Sequence, residues 1–300
     1  MSKRVSIVIP TRNRSHMLWR LLEQLVPLLD SEIEQIVVVD NASSDHTGDV
    51  AAQFPNVSYL RNEENVLSAK ARQQGWDVST GKYVCFIDDD NLIEDQALTI
   101  LADFLDDNED VALVGPVQRR WSDGSVWCAG GRINRFLVVS YDRETAISGK
   151  SKEVDFQPNV FMARNELRRS GVVFDWHRFP HNWSEADFGN KIRRAGYKVV
   201  TCFEATIYHD IDYSGYFTRI NPTNIFDQAQ SRIIYRKTYH NDAVTWILFA
   251  FVVLPVSVVA LIFTTRARDD KKRLIALYLK GTLCGLITPR KSLDKELSTI

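Results

Sequence analysis

Asp88, Asp89 and Asp90 directly follow an apolar run, Tyr83-Val84-Cys85-Phe86-Ile87. A run this apolar reads as a strand inside a sheet, and open α/β sheets bind ligands at the C-terminal tips of such strands. Three adjacent carboxylates at a buried tip repel one another and lose hydration, so they cost stability unless a cation holds them. Mg2+ and Mn2+ prefer oxygen ligands and bridge protein carboxylates to substrate phosphates. The plainer alternative is an acidic turn leading into a helix N-terminus, where Asp is favoured. A second lone carboxylate, Asp40, ends the run Ile36–Val39. It could accept from a pyrimidine imide N–H or a ribose hydroxyl. Its alternative role is to cap the next helix, but Ser43, Ser44 and Asp45 offer other caps, which leaves Asp40 free for a ligand.

The elements that must position these groups alternate. Val5–Ile9, Ile36–Val39, Val57–Leu60 and Tyr83–Ile87 are predicted strands. Met17–Leu29, a segment through Phe54, and Val66–Val78 carry helical spacing between them. Strand–helix alternation implies a parallel sheet with right-handed crossovers. Thr11, Asp40 and Asp88–Asp90 all fall just after strands, and in such a sheet those positions converge on one crevice. No GxGxxG follows the first strand, so a nicotinamide-type pyrophosphate turn is excluded and bound phosphates need another source of positive charge, such as a metal. Val111–Val117 and Lys198–Cys202 are further strands, and Glu185–Ala195 is a helix closed by Gly196.

With 300 residues, the chain holds one large domain or a domain with an appendage. A net charge of −1 gives no basic excess for nucleic acid. The four cysteines include no CxxC pair, so zinc-knuckle and thioredoxin-type sites are not indicated. Pro10 ends the first apolar stretch after one strand's length. That stretch is too short for a signal h-region, and the N-terminus is expected to begin the fold on the cytosolic side. From Ala243 to Phe263 there is no charged residue, a length that could cross roughly 30 Å of hydrocarbon. Its alternative is a buried core helix. Arg232, Arg236 and Lys237 precede it, and Arg266, Arg268, Lys271, Lys272 and Arg273 follow it. Basic flanks on both sides suit a re-entrant or in-plane element. Leu274–Ile287, interrupted by Lys280 and Gly281, reads as interfacial.

The ordered set SIVIPTRNR (Ser6–Arg14), IVVVDNASSD (Ile36–Asp45), the Asn65–Gly75 helix, YVCFIDDDN (Tyr83–Asn91), the Glu185–Asp187 helix ending in RRAGY, and Ile207-Tyr208-His209 resembles family-2 glycosyltransferases of the GT-A fold. The resemblance covers roughly Lys3 to Lys237, and a hydrophobic C-terminal part is common in rhamnosyltransferase-like members. It implies a GT-A, Rossmann-like mixed α/β sheet flanked by helices, followed by C-terminal hydrophobic helices. The expected division is a catalytic domain over 1–240, with a nucleotide half over 1–110 and an acceptor half over 111–240. Membrane-associated helices would occupy 241–300.

The resemblance also implies roles. Pro10, Thr11, Asn13 and Asp40 would surround the base and ribose, with Asp88 and Asp89 also on the donor side. Asp88, Asp90 and His209 would hold Mn2+ or Mg2+. Glu185 aligns with the family's catalytic carboxylate, and desolvation would raise its pKa toward the range of a general base. Its alternative is an ordinary first-turn acid beside a Ser184 cap. Asp187 would support it or take its place, although i, i+2 spacing puts the two on different helix faces. Trp183, next to this site, is the expected aromatic for a sugar face. The chain departs from the family pattern at Ser184-Glu185, at Asn65-Val66-Leu67 and at Gln73. The implied activity is inverting transfer from a UDP-, dTDP- or GDP-sugar to a lipid-linked or glycan acceptor at a cytosolic membrane face. The alternatives are a sugar-nucleotide pyrophosphorylase, which would want a glycine-rich basic loop where Thr11-Arg12-Asn13-Arg14 stands, and an inactive membrane scaffold.

Overall fold

The computed structural model describes residues 4–29, 31–134, 139–142, 149–210, 222–264 and 268–288. Strands β1 (Val5–Thr11), β2 (Ile33–Asp40), β3 (Ser58–Arg61) and β4 (Tyr83–Phe86) alternate with helices α1 (Ser15–Leu25), α2 (Thr47–Ala52) and α3 (Leu67–Asp77). The β1–β2, β2–β3 and β1–β4 pairs are all parallel. Next come β5 (Asn91–Ile93), α4 (Ala97–Asp107), β6 (Val111–Arg120), β7 (Val126–Cys128), β8 (Gly131–Ile133), β9 (Val139–Tyr141), β10 (Ser151–Glu153) and β11 (Phe161–Arg164). Helix α5 (Ser184–Arg194) and strand β12 (Lys198–His209) complete this part. The main sheet runs β10-β12-β6-β11-β4-β1-β2-β3, and β5 and β7 join it at β12 and β6. Strand β11 enters antiparallel between β4 and β6, so the sheet is mixed: α/β, as expected for the GT-A fold.

Alternation along the strands decides which helices cover which face. Ile7, Ile9, Tyr83 and Cys85 face the apolar stripes of α1 and α4. Val8, Val84 and Phe86 face Trp76 of α3 and Phe188 and Ile192 of α5. Helix α3 lies very close to the sheet at Gly75, where a Cβ would come 2.3 Å from Val8 Cγ1. Strand β12 extends well beyond the predicted Lys198–Cys202. A register shift between Cys202 and Thr206 breaks the alternation that marks a strand in sequence, yet pairing resumes to His209.

The chain closes with α6 (Pro222–Tyr239), α7 (Ala243–Leu248), a π-helical turn at Phe249–Val253, α8 (Leu254–Thr264) and α9 (Arg268–Ile287). Ala243–Ile262 has a mean hydropathy of 2.6 and is long and apolar enough to cross a membrane. Arg266, one of the basic flanks, lies outside the described residues.

Candidate active site at the strand tips

Backbone pairing gathers the site. Thr11 stands opposite Asp40 at the β1 and β2 tips. The Ile87 N–H donates to Val8 O at 3.0 Å, which sets the aspartate triplet beside them. Strand β5, starting right after the triplet, runs antiparallel to the end of β12 with Asn91 opposite His209. The Asp210 N–H donates to Asp90 O at 2.8 Å. Two segments more than a hundred residues apart thus place His209 Nε2 3.3 Å from Asp90 Oδ1. Asn159 Nδ2 lies 3.2 Å from the other ring nitrogen, and the Trp127 ring meets the imidazole edge-on at 4.8 Å.

Asp89 points elsewhere. It is buried and accepts from Thr11 Oγ1 at 2.7 Å and from Arg14 at 2.8 Å. The same Arg14 nitrogen donates to Asp90 at 2.9 Å. Burial pushes the Asp89 carboxyl up to about 7, with the Asp90 charge adding to the rise and Arg14 and Thr11 opposing it. Burial acts the same way on Asp90, but its hydrogen bond to His209 and the charge and hydrogen bond of Arg14 outweigh it and hold Asp90 low. Asp89 therefore ties the β1 turn to the triplet.

Asp88 belongs to a second cluster. Arg72, fully buried on α3, donates to Asp88 Oδ1 at 2.7 Å and to Glu185 Oε1 at 2.5 Å. Ser184 Oγ donates to the other Glu185 oxygen at 2.9 Å. Ser184 is thus a partner of the glutamate; the N-cap position is Trp183, in the left-handed region at φ 67°. The expected rise of the Glu185 pKa does not occur. Burial pushes it up, but the charge and hydrogen bonds of Arg72 outweigh burial and hold the carboxyl below the ordinary glutamate value. At Asp88 the balance falls the other way, and burial with nearby Asp90 and Glu185 keeps it raised despite Arg72.

Three expectations from the sequence are revised by these positions. Asp40 is not free: it accepts from Ser43 N–H at 2.8 Å, Tyr59 OH at 2.5 Å and Arg61 at 3.0 Å, while Asp45 accepts the Thr47 N–H at the start of α2. Asp187 turns away from Glu185, as helix geometry requires. It is fully buried, with Lys191 Nζ at 2.9 Å and the Tyr239 hydroxyl donating at 2.6 Å. Trp183 is buried against Tyr235 and Phe179, so its ring cannot lie under a sugar. Pro10 pairs with Val39 inside the sheet. Asn13 is exposed at the rim, with its N–H donating to Ser43 Oγ and its side-chain oxygen accepting the Ser44 N–H.

A divalent cation fits part of the expected set. Asp90 Oδ1 and His209 Nε2 are separated by about the distance of two ligands on one ion with bonds near 2.0–2.2 Å. As the amide stands, Asn159 donates to Nδ1, so Nε2 carries the proton; ligation requires the Asn159 amide to turn and accept from Nδ1–H. Asp88 faces Arg72 instead. Among the described residues no three His, Cys, Asp or Glu side chains form a metal-holding group. Asp90 and His209 would supply two ligands, which suits a hard cation that takes its others from diphosphate and water.

The sequence model of glycosyl transferase family 2 matches residues 6–168, more than half of the chain, taking in Arg72 and Asp88–Asp90 but ending before Glu185 and His209. This protein belongs to glycosyl transferase family 2. Among similar proteins, glycosyltransferase GlyG of Streptococcus pneumoniae serotype 4 is 25% identical over 119 residues, 38% of this chain and 39% of that protein. The Escherichia coli K12 protein named uncharacterized glycosyltransferase YibD is 29% identical over 116 residues, 37% of this chain and 33% of that one. The match spans well under half the length of either relative. Among solved structures, GalNAc-T7 with UDP, GalNAc and Mn2+ superposes with a TM-score of 0.68 at 12% identity, covering 97% of this chain and 57% of that one. Staphylococcus aureus TarS 1–349 with UDP-GlcNAc gives 0.57 at 14% identity, covering 99% and 79%. These likenesses show the GT-A fold.

For this family-2 chain, Arg72 and Arg14 are the site residues that sequence reasoning missed. Arg72 had a signal: it shares a helix face with Ala69, Gly75 and Trp76, all buried. A charge on a buried helix face needs carboxylates close by, and here they are Asp88 and Glu185.

Proposed function

We propose that this protein transfers a sugar from a nucleotide-diphospho-sugar to a hydroxyl of a lipid-linked or glycan acceptor, with inversion and with Mn2+ or Mg2+. The observation that carries the reading is the junction of two clusters at the strand tips: Asp90 with His209, and Asp88 with Arg72 and Glu185. In this reading the acceptor oxygen bonds to the anomeric carbon, the bond from that carbon to the diphosphate breaks with its electron pair going to the phosphate, and the acceptor proton goes to Glu185. A bound divalent cation would supply Lewis-acid stabilisation of the charge on the leaving diphosphate. Asp90 and His209 hold that side. Asp88 orients Arg72, whose guanidinium lies between donor end and base. As phosphate charge grows, it draws on Arg72 and lessens the hold on Glu185, so the carboxylate gains basicity when the proton must move. Thr11, Asn13 and the Asp40–Tyr59–Arg61 group form the rim for the nucleotide, with UDP, dTDP and GDP as candidate carriers; the UDP and UDP-sugar complexes of the structural neighbours support this donor class. The catalytic unit would span residues 1–240, with the apolar helices from 241 onward holding it at the cytosolic face of a membrane.

The test is transfer and donor hydrolysis across a nucleotide-sugar panel with Mn2+ or Mg2+. Asp90→Ala should abolish metal-dependent donor binding, and Glu185→Gln should bind donor without transferring sugar. Turnover with no donor in the panel, or metal-independent turnover unaffected by Asp90→Ala, contradicts the reading.

A further inference from the structure

We infer that Ala243–Ile262 lies flat in one lipid leaflet, beside the catalytic domain, and does not cross the bilayer. The inference rests on the membrane reading above and decides its geometry. The observation is where α6 is fastened. Near its start, Asn182, just before α5, donates to Asn224 and Asp227 at 2.6 Å each. At its end, Tyr239 donates to Asp187 of α5 at 2.6 Å. Helix α6 is therefore pinned at both ends to the helix that carries Glu185 or to the segment that leads into it, and it belongs with the catalytic domain.

The apolar stretch runs along this pinned helix. Arg236, buried on α6, donates to Thr245 O and lies over the rings of Trp246 and Phe249 at 5.5 and 5.0 Å. Ile233 packs with Phe249 and Val253. Arg232 donates to Ser257 Oγ at 3.3 Å and to Tyr278 OH of α9 at 3.2 Å. Ser257 lies twelve residues beyond Thr245, roughly 18 Å of helix at 1.5 Å per residue. In a helix crossing the bilayer from the catalytic side, that depth is past the middle of the hydrocarbon. Arg232, and with it α6 and α5, would then have to follow into lipid, which charged side chains oppose strongly. Helix α9 confirms the return: Gly281 lies against α6, where a Cβ would meet Phe226 O at 2.4 Å. The apolar stretch thus lies along α6 from Thr245 to Ser257, and the helix that follows it packs on the same α6.

The exposed face says what covers it. Val244, Ile247, Phe251, Val256 and Val259 follow helical spacing along one side, and Phe251 is 78% exposed. Leu283 and Ile287 of α9 add to the apolar surface. Lys272, Arg273 and Lys280, exposed on α9, supply positive charge in the same element. An apolar face with adjacent lysines and arginines fits an anionic lipid surface, entered to the depth of side chains.

The experiment uses the full chain with Cys284→Ser and one added cysteine, Glu109→Cys in the catalytic domain or Lys272→Cys in α9. Each is probed by a membrane-impermeant maleimide in inverted and right-side-out vesicles from expressing cells. Both positions should label from the same side. Labelling from opposite sides overturns the flat placement while leaving membrane binding intact. Flotation with vesicles containing phosphatidylglycerol should carry the purified protein, and Phe251→Glu with Val256→Glu should reduce the bound fraction at least tenfold. No flotation by the parent chain, or a stable dimer in solution that these substitutions split, overturns the membrane reading itself.

Discussion

Glu185 and Asp187 stand two residues apart in the first turn of one helix, and their surroundings could hardly differ more. Glu185 looks into the strand-tip crevice, keeps part of its surface open and shares a buried guanidinium with Asp88. Asp187 looks into the protein, fully enclosed by Lys191 and Tyr239, where burial raises its pKa despite the lysine. One carboxylate is partly open on the crevice; the other fastens α5 to α6. An acidic residue at a helix start is thus assigned by the direction it faces and by what neutralises it, and neither property is carried by residue type.

Breaking the enclosed side should cost folding. Removing one partner of a buried, hydrogen-bonded ion pair typically costs about 3–5 kcal/mol, so Asp187→Ala should lose stability of that order in a denaturant titration while the folded fraction keeps its turnover. On the open side, Asp90→Ala should weaken Mn2+ binding on the order of 100-fold or more, read by the spectrum of free Mn2+, because a ligand is lost outright. Asn159→Ala sharpens the same point with a smaller effect, about tenfold in metal affinity, since it removes only the group that orients His209. The subtlest change concerns pH. In the proposed mechanism Glu185 would act as a base only when ionised, so activity should fall as pH drops through its pKa. Arg72 holds that pKa below the ordinary value, which places the fall in the acid range. In Arg72→Gln burial is opposed only by the Ser184 and backbone hydrogen bonds, and the acid limb of kcat should move to higher pH. An unmoved limb would show that Glu185 is not the group being titrated.

Much of this comparison was present in the sequence. The strand–helix alternation, the tips at Asp40 and Asp88, and the order of motifs located both the sheet and the crevice. The i, i+2 spacing already separated Glu185 from Asp187. What local pattern could not carry was set by distant contacts. The hold of Tyr59 and Arg61 on Asp40 comes from the neighbouring strand β3. Arg72 meets Asp88 and Glu185 only because Gly75 lets α3 settle onto β1. His209 reaches Asp90 through a strand whose alternation breaks at a bulge. Trp183 looked like a sugar platform by its position next to Glu185, and packing against α6 made it core.

The most direct measurement is a paired one, on Glu185→Gln and Asp187→Ala, of turnover at saturating donor together with donor affinity in Mn2+. Glu185→Gln should bind donor within about threefold of the parent and lose on the order of 10²–10⁴-fold in kcat, the usual worth of a general base. Asp187→Ala, assayed where it remains folded, should turn over within about threefold. Full transfer by Glu185→Gln, or a loss confined to Asp187→Ala, would contradict the assignment of the crevice carboxylate as the base.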